Sequence, residues 1–200
     1  STISTESALW VLVEGSPKDY ILKVDPSDGS LITNFSDDGW APAPSADTEG
    51  IEYFGSFLYI IANEGSDPWN RQRQLYKVNA TTGAVESGYP KDLNNFVWDD
   101  LGDITNNGSN LVMWTKSGVN DVYTVGVDGS DQGRLWAGPS WTGAKALAYH
   151  QGEQTFLAGA QTNLSKFSSN FNSLADYTIA ATSTGETITS VTGLTFSDAS

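Results

Sequence analysis

Four short apolar runs recur along the chain at near-regular intervals. "ALWVLV" (8–13), "FLYIIA" (57–62), "NLVMWT" (110–115) and "TFLAGA" (155–160) begin 49, 53 and 45 residues apart. Each is followed by a polar loop, a second strand-like run and a turn rich in Gly, Asp and Asn: "YILKVDPSDGSL", "QLYKVNATTGAV", "DVYTVGVDGSDQG" and "NLSKFSSNFNSL". Strand–turn–strand with those turn residues is a hairpin signal. Three of the apolar runs are also preceded by a strand signal, "GIEYFGS", "GDITNNGS" and "ALAYHQGE", and a fourth copy, "TGLTFSDA", stands near the C-terminus with nothing after it. A sequence built from one repeated unit of about four strands must bury its faces by stacking copies, because a lone unit cannot cover both.

A period of 40 to 50 residues with four short strands per copy is that of a β-propeller blade, and the layout resembles that superfamily across nearly the whole chain. "ILKVDPSDG" and "LYKVNATTG" carry the resemblance most clearly, whereas the single Trp98-Asp99 dipeptide falls between units and does not identify a WD40 protein. The expected fold is all-β, one domain over 1–200 with about four blades of four antiparallel strands. The blades fall at about 8–35 plus 190–197, 48–88, 100–136 and 144–180. The first unit lacks an innermost strand, so the C-terminal copy is expected to pair with the N-terminal blade, leaving no open sheet edge. Two alternatives stand: a fragment of a larger propeller, or two chains completing one ring.

Composition agrees. Twenty Gly and only 17% charged residues suit strands joined by turns, not helices, and no segment sustains helical periodicity. With 24 acids against 10 bases, net charge −14, the chain repels phosphate backbones, so nucleic acid is excluded as an expected partner. There is no Cys, hence neither disulfide framework nor thiol nucleophile. No apolar run reaches the ~18 residues of a membrane span. The chain opens at Ser1 without a visible leader, as a processed product or an excised piece would.

In propellers, the loops entering the innermost strands share one face with the loops between second and third strands, around the central channel. The resemblance places two loop sets there. Tryptophan recurs in the first, as Trp40, Trp98 and Trp141, and Trp69 lies in the longest loop of the second. Flat rings on one face stack on sugars or partner side chains; equally, inter-blade tryptophans plug gaps between sheets. Arg71 and Arg73, in "PWNRQRQ", form the one basic cluster and either read a carboxylate or sulfate or pair with Glu64 and Asp67. Together these six residues are the candidate ligand contacts.

Acids mark the strand entrances. Aligned at their "GS" turns, Asp47 matches Asp100 and Gly50 matches Asp103, with Lys145 and Thr192 at the Glu49 position of the later copies. "DTEG" and "DLGD" resemble the acidic entrances of calcium-dependent lactonase-like and phytase-like propeller hydrolases. That resemblance implies a Ca²⁺ site at Asp47, Glu49, Asp100 and Asp103 beside Asp99, since Ca²⁺ takes six to eight oxygens. Those families draw acids or Asn from most blades, and here the last two supply none; solvated acidic loops are the plainer reading. Acids at the hairpin tips "DPSDG" and "DGSDQG" are what turns require.

Catalysis has little support. The only His, His150, is expected in a turn away from the channel mouth, and no nucleophile–base relay is visible; a carboxylate pair for glycoside hydrolysis stays open. Sequons at Asn34, Asn79, Asn107 and Asn163 matter only for a secreted eukaryotic source. The reading is a non-enzymatic recognition module, extracellular or surface-exposed on a secreted, cell-surface or virion protein. It is expected to bind glycan or protein around the channel mouth, without a cofactor other than possible Ca²⁺. The alternatives are a calcium-dependent hydrolase and a structural or assembly domain.

Overall fold

The computed structural model describes residues 8–13, 20–25, 28–36, 46–65, 71–116, 121–137, 144–150, 152–160, 163–169 and 172–178. Fifteen strands form four antiparallel sheets in chain order, and no helix occurs among the described residues. The first sheet comprises β1 (Leu9–Val13), β2 (Tyr20–Val24) and β3 (Leu31–Ser36). The second holds β4 (Ala46–Phe54), β5 (Phe57–Glu64), β6 (Gln72–Asn79) and β7 (Lys91–Asp92). The third is β8 (Leu101–Asn106), β9 (Leu111–Thr115), β10 (Asp121–Val125) and β11 (Asp131–Ala137). The fourth is β12 (Ala144–His150), β13 (Thr155–Ala160), β14 (Asn163–Ser168) and β15 (Ser173–Thr178). Each sheet is an up-and-down meander, and the first strands of successive sheets, β4, β8 and β12, lie side by side. This is a β-propeller arrangement of four blades, I to IV.

The apolar runs lack strand alternation because both of their faces are buried. Side chains alternate across a sheet, so Leu58, Ile60 and Ala62 of β5 pack into the seam between blades I and II, while Tyr59 and Ile61 pack into the seam between II and III. In β9, Leu111 and Met113 face blade II, and Val112 and Trp114 face blade IV. Burying each Leu or Ile side chain contributes about 1.5–3 kcal/mol, so the seams between blades are the cores of the molecule.

The β4–β5 hairpin turns through Gly55 and Ser56 with φ of 59° and 73°, the left-handed pair that a tight two-residue hairpin needs. Blade I contains only three described strands. Its β1 corresponds to the second strands β5, β9 and β13, as expected of a unit lacking its innermost strand. The C-terminal copy at 190–197 lies outside the described residues.

Two details differ from the sequence reading. The "QLYKVNATTGAV" hairpin closes with only a Val78–Val85 bridge, and the outer strand of blade II is the two-residue β7. Gly88 (φ 84°) turns the chain, and Pro90 offers no N–H to a ladder. His150 ends strand β12, half-buried, with its Nδ1 accepting the Glu153 N–H at 3.0 Å.

Candidate functional site

The entrances of the inner strands share one repeated irregularity. In β4, β8 and β12 the ladder to the next strand skips one residue near its start: Glu49 between Thr48 and Gly50, Gly102 between Leu101 and Asp103, Lys145 between Ala144 and Ala146. A bulge leaves the extra residue unpaired and bends the strand. The register makes Asp103 equivalent to Gly50 and Ala146, and Asp100 equivalent to Asp47, as the sequence alignment implies. Asn63 and Lys116 also occupy equivalent places: Asn63 pairs with Asp47, and the Lys116 N–H donates to the carbonyl of the equivalent Asp100.

These positions build a continuous polar network across the seam between blades II and III. Lys116 Nζ donates to Glu49 Oε1 and lies 3.7 Å from Asp47 Oδ2. Gly102 lets this happen: a Cβ there would stand 3.0 Å from Lys116 Cβ. Arg71 places one guanidinium nitrogen 3.5 Å from both Asp47 and Asp100, and Arg73 reaches Asp100 at 3.5 Å. Arg73 also donates its Nε–H to the Asp99 carbonyl at 3.2 Å. Fully buried Asn63 acts as a strand surrogate, accepting the Leu101 N–H at 3.0 Å and donating to the Leu101 carbonyl at 3.1 Å, while also donating to Glu49.

Deeper in the seam, Asp103 accepts the Leu147 N–H of blade IV at 2.6 Å and the Ile104 N–H at 2.8 Å. Its carboxylate fills space left by Gly50, where a Cβ would stand 2.7 Å from Asp103 Oδ1. Burial pushes the Asp103 carboxyl up to about 8, against the pull of those two N–H donors and with help from Glu52 and Glu49. Burial likewise raises Glu49 to about 7 despite Lys116. Glu52, hydrogen-bonded by Asn106 across the seam, also rises to about 7 through burial.

Trp98 stands apart. The connection from β7 to β8 is anchored by Leu93 and Val97, both fully buried, through a helical turn in which Val97 N–H reaches the Leu93 carbonyl. Asn94 Oδ1 accepts the Arg73 backbone N–H at 3.1 Å, and Arg73 grips Asp99. On this pinned loop the Trp98 side chain projects outward at 74% exposure. It therefore does not plug the gap between sheets.

Of the residues singled out from sequence, Asp47, Glu49, Asp100, Arg71 and Arg73 come together at the mouth, Asp103 lies just below them, and Trp98 follows from the same loop. Trp40, Trp69 and Trp141 lie outside the described residues. Arg71 and Arg73 pair with Asp47 and Asp100 and not with Glu64, which accepts the Tyr76 hydroxyl; Asp67 lies outside the described residues. Sequence reasoning missed Asn63, Lys116, Asn94 and Glu52. Asn63 and Lys116 do carry a signal, since each is the residue next after an apolar run.

This set does not fit a hard dication. Three cationic side chains already face Asp47, Glu49 and Asp100, and Asp103 spends both oxygens on backbone N–H groups. Among the described residues no group of three His, Cys, Asp or Glu converges on a metal position. The mouth carries its own cations instead.

No protein-family model matches the chain, and no curated protein matches it in sequence. Solved structures do. The major Malassezia sympodialis allergen Mala s 1 superposes with a TM-score of 0.54 at 11% identity, over 82% of this chain and 61% of that one. A calcium-binding protein, regucalcin, from Agrobacterium tumefaciens strain C58 gives 0.53 at 14% identity, over 85% and 60%. A protein of unknown function from Bacteroides caccae gives 0.53 at 11%, over 84% and 61%. The shared property is the propeller fold. The chain spans about three fifths of the length of these structures.

Proposed function

We propose that this propeller is a non-enzymatic recognition module that binds glycan or protein at the channel mouth, in an extracellular or surface-exposed setting. The observation that carries the reading is Trp98, 74% exposed on a loop fixed from below by Leu93, Val97 and Arg73. An indole held in water on a rigid loop is a preorganised contact: it has a large apolar face to bury and few conformations to lose on binding. The charged network beside it supplies donors and acceptors in fixed positions. Among the described residues no helix is long and apolar enough to cross a membrane.

The test is Trp98→Ala, screened beside the wild type on a glycan array and in capture from extracellular extracts. Loss of Trp98 is expected to weaken binding at least tenfold, about 1.4 kcal/mol or more. The melting temperature should stay put, because exposed substitutions usually change stability by less than about 0.5 kcal/mol. Unchanged binding by the variant defeats this choice of surface.

Calcium separates this reading from the hydrolase alternative. Because Lys116, Arg71 and Arg73 compensate the acids, millimolar Ca²⁺ is expected to leave the wild-type melting temperature unchanged. A ligand at a hundred times its Kd stabilises a fold by about 2.7 kcal/mol, so a clear rise with Ca²⁺, reversed by chelator, would favour the hydrolase.

A further inference from the structure

At the strand entrances of blades II and III, charge is nearly compensated while hydrogen-bonding capacity is left over. Arg71, Arg73 and Lys116 face Asp47, Glu49 and Asp100, three cationic side chains and three carboxyl groups. Arg71 meets Asp47 and Asp100 at 3.5 Å each, close enough for charges to pair but longer than a hydrogen bond. The Arg71 Nε–H is buried without an acceptor among the described residues. The Asp47 carboxylate is 41% exposed and stands 3.5 Å from Arg71 and 3.7 Å from Lys116, again beyond hydrogen-bond length. An acceptor-only group and a forked donor thus lie side by side, paired in charge and free to take hydrogen bonds. Arg71 also touches Asp100, two residues after the exposed Trp98.

We propose that this place binds a neutral saccharide, with one sugar ring against the Trp98 indole and hydroxyls of the same glycan bridging Asp47 and Arg71. The proposal rests on the reading of Trp98 as the contact residue and narrows it to one class of ligand. A sugar ring has an apolar C–H face for the indole. Its hydroxyls both donate and accept, so one can donate to Asp47 while accepting from Arg71 and leave the ion pair in place.

Charged ligands fit less well. An anionic glycan approaches a chain of net charge −14 and draws Arg71 away from its carboxylates. A cationic ligand competes with Arg71 and Lys116 for Asp47. Either leaves a half-buried charge without its partner, which is costly. A protein partner wants an interface centre that is apolar and poor in charge. Here the indole is followed by Asp99 and Asp100, and the other exposed large apolar side chains among the described residues belong to blade I, to Tyr53 beside the β4–β5 turn and to Leu174 on β15.

Affinity electrophoresis and a glycan array test this with the full chain. The gels hold a β-glucan, a mannan or a galactan, and in parallel their sulfated forms; the array holds neutral, uronate-bearing and sulfated oligosaccharides. At least one neutral saccharide is expected to bind the wild type, with an affinity that salt leaves unchanged, and its charged form is expected to bind more weakly. Trp98→Ala is expected to weaken neutral-sugar binding about tenfold or more, and Asp47→Ala about threefold or more, the effect of losing a hydrogen bond. Binding confined to charged glycans, or lost as salt rises, overturns the proposal. So does a panel in which no neutral saccharide binds; a protein captured through Trp98 in that case keeps the recognition reading and removes only the sugar. Sugar binding weakened by Trp98→Ala but untouched by Asp47→Ala overturns the bridge to the ion pair. Sugar binding unchanged in both variants overturns the site and the choice of Trp98 together.

Discussion

The melting temperature of this protein is expected to fall as pH rises from 5.5 to 8.5. Three seam carboxyls set the direction. Asp103 rises from 3.8 to about 8, and Glu49 and Glu52 rise from 4.5 to about 7. A carboxyl raised in the folded state holds a proton that the unfolded chain releases, so folding takes up protons between the two values. The folded state then binds more protons than the unfolded state, and stability declines with pH across that window. The contribution is fullest below about pH 4, is lost progressively as pH climbs through 7 and 8, and changes no further above. Each pKa unit corresponds to about 1.4 kcal/mol, and partial solvent contact at the mouth reduces the sum. As these three carboxyls ionise they add to the self-repulsion of a chain whose net charge is already −14, in the same direction. The exposed carboxylates Asp128 and Glu153, lowered by Ser130 and Lys166 respectively, are ionised in both states across this range and act only at lower pH. Thermal melts at half-unit pH steps read the slope, and Asp103→Asn is expected to flatten it. A melting temperature that climbs with pH, or an Asp103→Asn slope equal to wild type, contradicts the burial of these groups.

Trp114→Ala is expected to cost about 3–5 kcal/mol, a large part of the 5–15 kcal/mol that holds a typical domain folded. Trp114 is 1% exposed and fills the seam between blades III and IV against Val112, Val122, Leu147, Phe156, Ala158 and Phe167. It also pairs in register with Asp103, directly beneath the mouth. Removing the indole empties the seam at its middle, where two sheets already fixed by their own ladders have little freedom to collapse. Urea unfolding measures the loss. A cost below about 0.5 kcal/mol, the range of ordinary surface changes, would mean that the blades do not pack as one core.

Much of this architecture is legible from local pattern. Turn residues and apolar runs place the strands of each blade, and alignment of the strand entrances matches the register in which Asp47 stands over Asp100 and Gly50 over Asp103. What stays hidden is what crosses a seam. Glu49 and Lys116 lie 67 positions apart, and their meeting depends on how one blade leans on the next, which no local period encodes. Asn63 reads as the tail of an apolar strand yet spends its amide on the neighbouring blade. Val97 and Trp98 are adjacent apolar residues in an irregular loop, and nothing in their order says which is buried. The two-residue β7 escapes for another reason: with most of its length in turns, it has no alternation to detect.

The recurring bulge has a consequence for how such a surface can change. In the inner strands β4, β8 and β12, one residue stands outside the backbone ladder near the strand entrance: Glu49, Gly102 and Lys145. The ladder does not pair this residue, and in three blades the position holds an acid, a glycine and a base. In blades II, III and IV the ladder itself therefore does not dictate which residue type stands at this position. Change at such a position is constrained from across the seam instead: Glu49 and Gly102 both serve Lys116, so an exchange at one is expected to demand an answer at the other.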